Sequence, residues 1–289
     1  MAAIDPHLRI RAVTLAVADL PRSAEFYERA LGLPLIARAQ DTAQFGHDHA
    51  HPALVLRQLT AATPLPPNAT GLYHVAWLHP SRAALAETVR RIAAAQWMFE
   101  GASDHGVSEA LYLSDPDGLG IEIYADRPRE RWPRPASGHG VSMTTLPLDL
   151  DDLLAQFSGE PAATVAAGTA IGHVHLKVAD VARAVVFYRD VLGFEEQATL
   201  PSAAFLSAGG YHHHIGLNSW QSAGAAPAPD SAPGLRRLEL ELGDRQALES
   251  LARAVRDAGC ETTQGGDGSA ELALRDPDGQ LLEFASGAP

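Results

Sequence analysis

The strongest constraint on the fold is an internal repeat. Two segments, RAVTLAVADLPRSAEFYERALGL from Arg11 and GHVHLKVADVARAVVFYRDVLGF from Gly172, share one pattern. In each, an alternating apolar stretch typical of a β-strand is followed by VAD, an amphipathic helix containing FY, and LG. Helix N-caps and glycines just past the helix ends fall at equivalent places: Asp19, Asp180, Gly32 and Gly193. A repeat of this length indicates that the chain is built from similar supersecondary units.

Two weaker copies of the unit follow the strong ones. GLYHVAWLHPSRAALAETVRRI begins at Gly71 and GLRRLELELGDRQALESLARAV begins at Gly234, with Ser81 and Asp244 as the predicted caps. Each copy leads into a pair of alternating strands, LYLSDPDGLGIEIY and LALRDPDGQLLEFA, joined by the same DPDG turn. An Asp-Gly turn between alternating strands is a strong hairpin signal, so each copy ends in a hairpin.

The sequence therefore predicts an α+β fold of four βαβββ modules. They cover about 8–60, 71–126, 171–220 and 234–286. Stretches that contain proline and glycine separate the modules and are interpreted as linkers. The predicted organisation is residues 1–126 for modules one and two, 127–170 for a linker, and 171–289 for modules three and four.

Composition and charge exclude several classes of partner. The net charge of −13 argues against nucleic acid or an anionic membrane, because both require a basic surface. No apolar run approaches the roughly 18 residues needed to cross a bilayer, and the first residues do not have the pattern of a signal peptide. The single cysteine, Cys260, fits a reducing compartment. We therefore expect a cytoplasmic protein that binds neither nucleic acid nor membrane.

The VAD…FY…LG and DPDG-x-x-x-E patterns resemble those of the vicinal oxygen chelate superfamily, which includes glyoxalase I, bleomycin-resistance proteins and type I extradiol dioxygenases. The resemblance spans nearly the whole chain. It implies that modules pair, each pair forming a half-open barrel, and that metal ligands lie on first and last strands facing the cup. Within the superfamily, the chain looks most like the catechol 2,3-dioxygenases.

The resemblance implies a ligand position seven residues before each helix cap and another four residues after the DPDG glycine. The first position holds histidine only in modules two and three, and the second holds glutamate in modules two and four. The implied residues are Ala12, His74, His173 and Arg237 at the first position and Glu122 and Glu283 at the second. Together, His74, His173 and Glu122 form the two-histidine, one-carboxylate set of non-haem Fe(II) oxygenases, which Mn(II) also accepts.

In the better-known extradiol enzymes, the site lies between modules three and four. Here Arg237 replaces the second histidine of that pair, and a protonated guanidinium has no lone pair for a metal. We therefore expect module two to pair with module three, within one chain or across a dimer, and module one with module four as a metal-free barrel. A homo-oligomer is expected.

The resemblance also implies three catalytic residues. Tyr112 lies ten residues before Glu122, as in the extradiol family, and His105 is the candidate for a histidine that precedes this tyrosine, two residues closer than usual. A catalytic histidine in YHHHIGLN matches His213. If the register of that predicted strand is shifted by one residue, His212 or His214 takes its place.

The sequence thus predicts an iron-dependent extradiol dioxygenase acting on a small aromatic diol with O₂. Two rival functions remain. One is a glyoxalase- or isomerase-like lyase of the same superfamily, a class that typically uses Ni²⁺ or Zn²⁺. The other is a metal-free binding or resistance protein. Three ligand-type residues in equivalent positions argue against the second rival, and Tyr112 with the histidine-rich strand argues against the first.

Overall fold

The computed structural model describes residues 3–136, 138–263 and 271–287. Its strands are β1 (Arg9–Val17), β2 (Leu35–Arg38), β3 (Thr42–Phe45), β4 (Leu54–Gln58), β5 (Gly71–His79), β6 (Gly101–Asp104), β7 (Ser108–Ser114), β8 (Gly120–Asp126), β9 (Ala170–Lys177), β10 (Glu195–Leu200), β11 (Ala203–Ser207), β12 (Ile215–Asn218), β13 (Gly234–Leu242), β14 (Leu272–Arg275) and β15 (Leu281–Ser286). Its helices are α1 (Leu20–Glu25), α2 (Arg82–Ala94), α3 (Leu150–Leu154), α4 (Val181–Val185) and α5 (Arg245–Asp257).

The four predicted helix caps are confirmed. Asp19, Ser81, Asp180 and Asp244 each accept a hydrogen bond on the side chain from the backbone N–H three residues later. This bond satisfies a donor that the first turn of a helix leaves free. Helices α1 and α4 each continue into a π-helical turn that contains the FY pair. None of the helices in the described ranges is long and apolar enough to cross a membrane.

Two mixed sheets are assembled from the modules in the predicted pairs. The seven-stranded sheet has the order β14-β15-β13-β1-β4-β3-β2, so modules four and one share it. The eight-stranded sheet has the order β10-β11-β12-β9-β5-β8-β7-β6, which joins modules three and two. In each sheet the first strands of the two modules meet antiparallel, β1 with β13 and β5 with β9. The expected pairing of module two with module three is confirmed, and it occurs within one chain.

The recurring motifs are contact partners, which explains why they occur together. The Tyr27 hydroxyl donates to Asp115 at 3.1 Å, and the equivalent Tyr188 hydroxyl donates to Asp276 at 3.0 Å. The second aspartate of each DPDG turn contacts the VAD segment and the helix after it: Ala18–Asp117, Arg22–Asp117, Ala179–Asp278 and Arg183–Asp278. Sheets therefore join modules two with three and one with four, whereas these contacts join one with two and three with four.

The seven-stranded sheet has an ion-pair cluster at the positions that resemble the ligand positions. The Arg237 guanidinium lies 2.9 Å from Glu239 and 3.3 Å from Glu283. Arg11 also pairs with Glu239. A guanidinium between two carboxylates neutralises charges that would otherwise be buried together. The cluster explains why Glu283 persists in a module without histidine.

Candidate metal centre

Three donor atoms converge where β5, β8 and β9 lie side by side. β5 runs between the other two, parallel to β8 and antiparallel to β9. This places His74, Glu122 and His173 on neighbouring strands. His74 Nε2 lies 3.0 Å from Glu122 Oε2, His173 Nε2 lies 3.1 Å from the same oxygen, and the two nitrogens are 3.3 Å apart. The predicted set is thus brought together by residues 99 positions apart in the chain.

The spacing of these atoms fits a metal ion. Bonds of about 2.2 Å at right angles, as on one face of an octahedron, place neighbouring ligand atoms about 3.1 Å apart. The three side chains are 5%, 3% and 1% exposed, in the order His74, Glu122 and His173. Among the described residues, they are the only group of three or more His, Cys, Asp or Glu side chains that could hold a metal ion. Nitrogen and oxygen donors on one face leave the opposite face open to other ligands.

Protonation states at the centre favour metal binding. Burial lowers the pKa of His173 to about 4, although attraction to Glu122 opposes the shift. Burial would raise the pKa of Glu122, but attraction to His173 and hydrogen bonds with both histidines outweigh it and hold this pKa well below its usual value. His173 is therefore neutral and Glu122 is ionised at neutral pH, the states in which both side chains bind metals.

Tyr112 and His105 form a hydrogen-bonded pair beside the centre. Tyr112 lies directly opposite Glu122 in the β7–β8 ladder. Its hydroxyl lies 2.7 Å from His105 Nε2, and His105 Nδ1 lies 2.7 Å from the Thr144 carbonyl oxygen. A carbonyl only accepts, so Nδ1 carries a hydrogen, and the Tyr112 hydroxyl donates a hydrogen bond to Nε2. Burial raises the pKa of Tyr112, and the charge on Glu122 adds to this effect, so the phenol stays protonated.

The segment around His213 differs from the predicted strand. Only Ile215–Asn218 forms a strand, and Tyr211 to His214 precede it as a loop. All three histidine side chains are buried, and His212 Nδ1 lies 2.8 Å from His213 Nδ1. His213 is the one that lines the cavity over the metal centre. Its ring packs on His173, with centroids 4.0 Å apart.

Residues beyond the predicted set complete the surroundings. Glu122, Tyr124 and Asp126 alternate along β8 and share one face of the strand. The Tyr124 hydroxyl is 2.8 Å from that of Tyr211, and Asp126 Oδ1 is 2.9 Å from His212 Nε2. Alternation from Glu122 was the signal in the sequence that could have identified Asp126.

The cavity above the centre has a volume of about 310 Å³. Its walls combine the polar groups already described with the aromatic rings of Tyr73, Phe205 and Trp220. His175 also lines it, and its buried Nε2 atom has no hydrogen-bond partner among the described residues. No lysine or arginine is among the described residues that line this cavity. It therefore suits an aromatic molecule with few charges.

The fold and the three-donor centre define a chain of the glyoxalase/bleomycin resistance protein/dioxygenase superfamily, and the chain belongs to that family. The family's sequence profile matches residues 9–123 and 170–284, one match in each half. A relative from Bacillus subtilis (strain 168), named catechol-2,3-dioxygenase, is 41% identical over 262 residues, which is 90% of this chain and 91% of the relative.

Solved structures of distant relatives have the same fold. A Bacillus subtilis protein assigned as a dioxygenase matches with a TM-score of 0.67 and 16% identity, over 100% of this chain and 87% of that one. Glyoxalase I from Zea mays matches with a TM-score of 0.57 and 16% identity, over 96% of this chain and 92% of that one. At this identity the two structures support the fold alone.

Proposed function

We propose that the protein is an Fe(II)-dependent extradiol dioxygenase that opens the ring of a catechol-type diol with O₂. The observation that carries the proposal is the convergence of His74, Glu122 and His173 beside a cavity whose walls include several aromatic rings. A relative 41% identical over nine-tenths of the chain and named catechol-2,3-dioxygenase supports this reaction over others in the superfamily.

His74, His173 and Glu122 would hold the metal, with Mn(II) as the alternative to Fe(II) because the same donors accept both. When bound, the metal supplies a coordination sphere that can take both diol oxygens and O₂, which makes their reaction local. The burial of the three donors keeps bulk water away from the reacting groups and strengthens electrostatic interactions there.

Two side chains are placed to handle protons on the substrate. His213 lines the cavity, and because burial lowers its pKa well below the usual value, the ring is neutral and one of its nitrogens has a lone pair towards which a substrate hydroxyl can donate. Tyr112 remains a phenol whose single O–H is donated to His105, so its oxygen can accept a hydrogen bond from a substrate hydroxyl. His105 is assigned the supporting role because its Nδ1 is fixed by Thr144.

The cavity favours an uncharged diol with an apolar substituent. A cavity of about 150 Å³ holds a benzene ring, and this one is about 310 Å³. Leu200 and Trp220, which are 55% and 52% exposed, lie at its wall and would cover a substituent. With no lysine or arginine among the described lining residues, a carboxylate on the substrate would lie unpaired near Glu122.

The test compares two glutamates at equivalent positions of the two sheets. Glu122→Gln should lose stoichiometric iron and O₂ uptake with catechol, whereas Glu283→Gln should retain both. Iron content is measured after reconstitution with Fe(II), and ring opening is followed by the coloured semialdehyde product. Loss of iron from the Glu283 variant alone would contradict the ligand assignment. Full iron with no O₂ uptake on any catechol would direct attention to a glyoxalase-like reaction.

A further inference from the structure

A hydrogen-bond chain of three side chains, His213, His212 and Asp126, runs from the cavity wall towards the surface. His213 Nδ1 lies 2.8 Å from His212 Nδ1, and His212 Nε2 lies 2.9 Å from Asp126 Oδ1. His212 is fully buried, and the Asp126 side chain is 24% exposed. The hydrogen-bond chain joins the strand that carries Glu122 to the loop that carries His213.

The order of donors and acceptors in the hydrogen-bond chain follows from the carboxylate of Asp126 at its outer end. An ionised carboxylate only accepts, so His212 carries a hydrogen on Nε2. His212 is fully buried and donates its Nε2 hydrogen to Asp126, which leaves Nδ1 as its lone-pair nitrogen, so the hydrogen between the two Nδ1 atoms belongs to His213. His213 must therefore be the Nδ1–H tautomer, with a lone pair on Nε2.

Packing prevents the two rings from leaving this arrangement. His212 is surrounded by aromatic rings, with centroids 4.1 Å from Tyr211 and 5.3 Å from Trp132. His213 lies between His173 and Phe205, with centroids 4.0 and 5.0 Å away. A ring flip of His213 would break its only hydrogen bond with His212. Since Nδ1 is engaged away from the cavity, Nε2 is the nitrogen that a ligand in the cavity can reach.

We infer that Asp126 and His212 are positioning residues that hold His213 as the Nδ1–H tautomer and present its bare Nε2 to the substrate. The role of His213 as proton acceptor rests on the proposed function, whereas the tautomer rests on the hydrogen-bond chain alone. In the reaction, Nε2 takes a proton from a substrate hydroxyl, the O–H bond breaks as the N–H bond forms, and its electron pair remains on the oxygen. The opposite tautomer would offer N–H and could not accept that proton.

The tautomer is measured by nitrogen-15 NMR of histidine-labelled protein loaded with Zn(II), which is diamagnetic. In the parent protein, His213 Nε2 should have the chemical shift of an unprotonated ring nitrogen and Nδ1 that of a protonated one. His212→Phe keeps an aromatic ring in the packed position but removes the acceptor, so the protonated-Nδ1 population of His213 should fall. An unchanged tautomer in this variant, or a protonated Nε2 in the parent, overturns the inference.

Kinetics provide the second readout, with Fe(II)-loaded protein. Asp126→Asn and His212→Phe should lower kcat with a catechol by about 10–100-fold, with KM and bound iron close to the parent values. Tyr124→Phe is the matched control, because it keeps the ring that packs against His212 and removes a hydroxyl that bonds Tyr211, not an atom of His213, His212 or Asp126. A loss of iron in parallel with kcat would show a merely structural role. If the tautomer is as inferred but no catechol is cleaved, the proposed function fails and the tautomer assignment stands.

Discussion

At the scale of single residues, two aspartates are buried although burial disfavours the charged form of a carboxyl group. Asp115 and Asp276 are 4% and 5% exposed. Burial raises the pKa of each to about 6, although hydrogen bonds from backbone N–H groups and from Tyr27 or Tyr188 oppose the shift. A carboxyl group whose pKa is raised by folding contributes to the free energy of unfolding in its protonated form. This contribution is complete below the ordinary pKa of the group and is lost as the pH rises through its pKa in the folded state.

We predict that Asp115→Asn flattens the pH dependence of stability between about pH 4 and 6. The amide keeps an oxygen for the N–H groups of Asp117 and Leu119 but does not ionise. The free energy of unfolding of the variant, relative to the parent, should rise across this window by about 1–3 kcal/mol. Urea unfolding at several pH values measures it. Asp244→Asn, an exposed helix cap, is the control, and an equal slope in both variants would contradict the prediction.

The residues that sequence could identify are those fixed by a spacing. His74 and His173 stand at one offset from a helix cap, and Glu122 stands at a fixed offset from a turn. Their convergence is confirmed because caps and turns set the register of the strands that follow or precede them. The Asp126–His212 contact could not be predicted in the same way, because it joins a strand to a loop whose path depends on tertiary packing.

At the scale of elements, β8 and β9 are fitted to each other beside the candidate metal centre. Gly172 on β9 faces the Tyr124 hydroxyl on β8, and a Cβ atom at this position would overlap that hydroxyl. The backbone of β9 can therefore approach only because residue 172 is glycine. The neighbouring loop shows where a period of two misleads. His212 to His214 precede the strand, which begins only at Ile215, and His212 Nδ1 contacts His213 Nδ1 where strand alternation would turn the two side chains apart.

We predict that Gly172→Ala lowers the free energy of unfolding by about 1–3 kcal/mol, as overpacking does, and weakens metal binding through the adjacent His173. Adding Tyr124→Phe should recover part of both losses, because it removes the atom that is overlapped most. Thermal unfolding and metal titration measure the two effects. Gly101→Ala is the control, since its Cβ would only make ordinary contact with Tyr112. Equal losses in Gly172→Ala and Gly101→Ala would contradict the argument.

At the scale of the whole molecule, two kinds of contact join the modules in different pairs. Backbone pairing builds one sheet from modules two and three and the other from modules one and four. Contacts between helices and DPDG turns join modules one with two and three with four. The pattern of four modules was readable from the sequence because each has its own cap and turn. The pairing of the modules followed from Arg237, because an arginine at a ligand position cannot bind a metal ion.

We predict that the chain separated between Gly159 and Glu160, both exposed, yields two fragments that bind metal only together. His74 and Glu122 lie on the first fragment and His173 on the second, so neither holds all three donors. Each fragment is purified, then mixed, and metal content and complex formation are measured. The first fragment binding one equivalent as tightly as the whole chain would contradict the prediction. Glu122→Gln in the first fragment is the control for adventitious binding.

The antiparallel pairing of β5 with β9 also determines when, during synthesis of the chain, the three donors can come together. The third donor, on β9, is made 51 residues after Glu122, so a nascent chain that stops in the long linker holds two donors at most. If these three side chains bind the metal as proposed, loading follows translation of the second half and the pairing of β5 with β9. A truncated or misassembled product would then stay without metal, and metal content would report whether the chain has been completed and correctly folded.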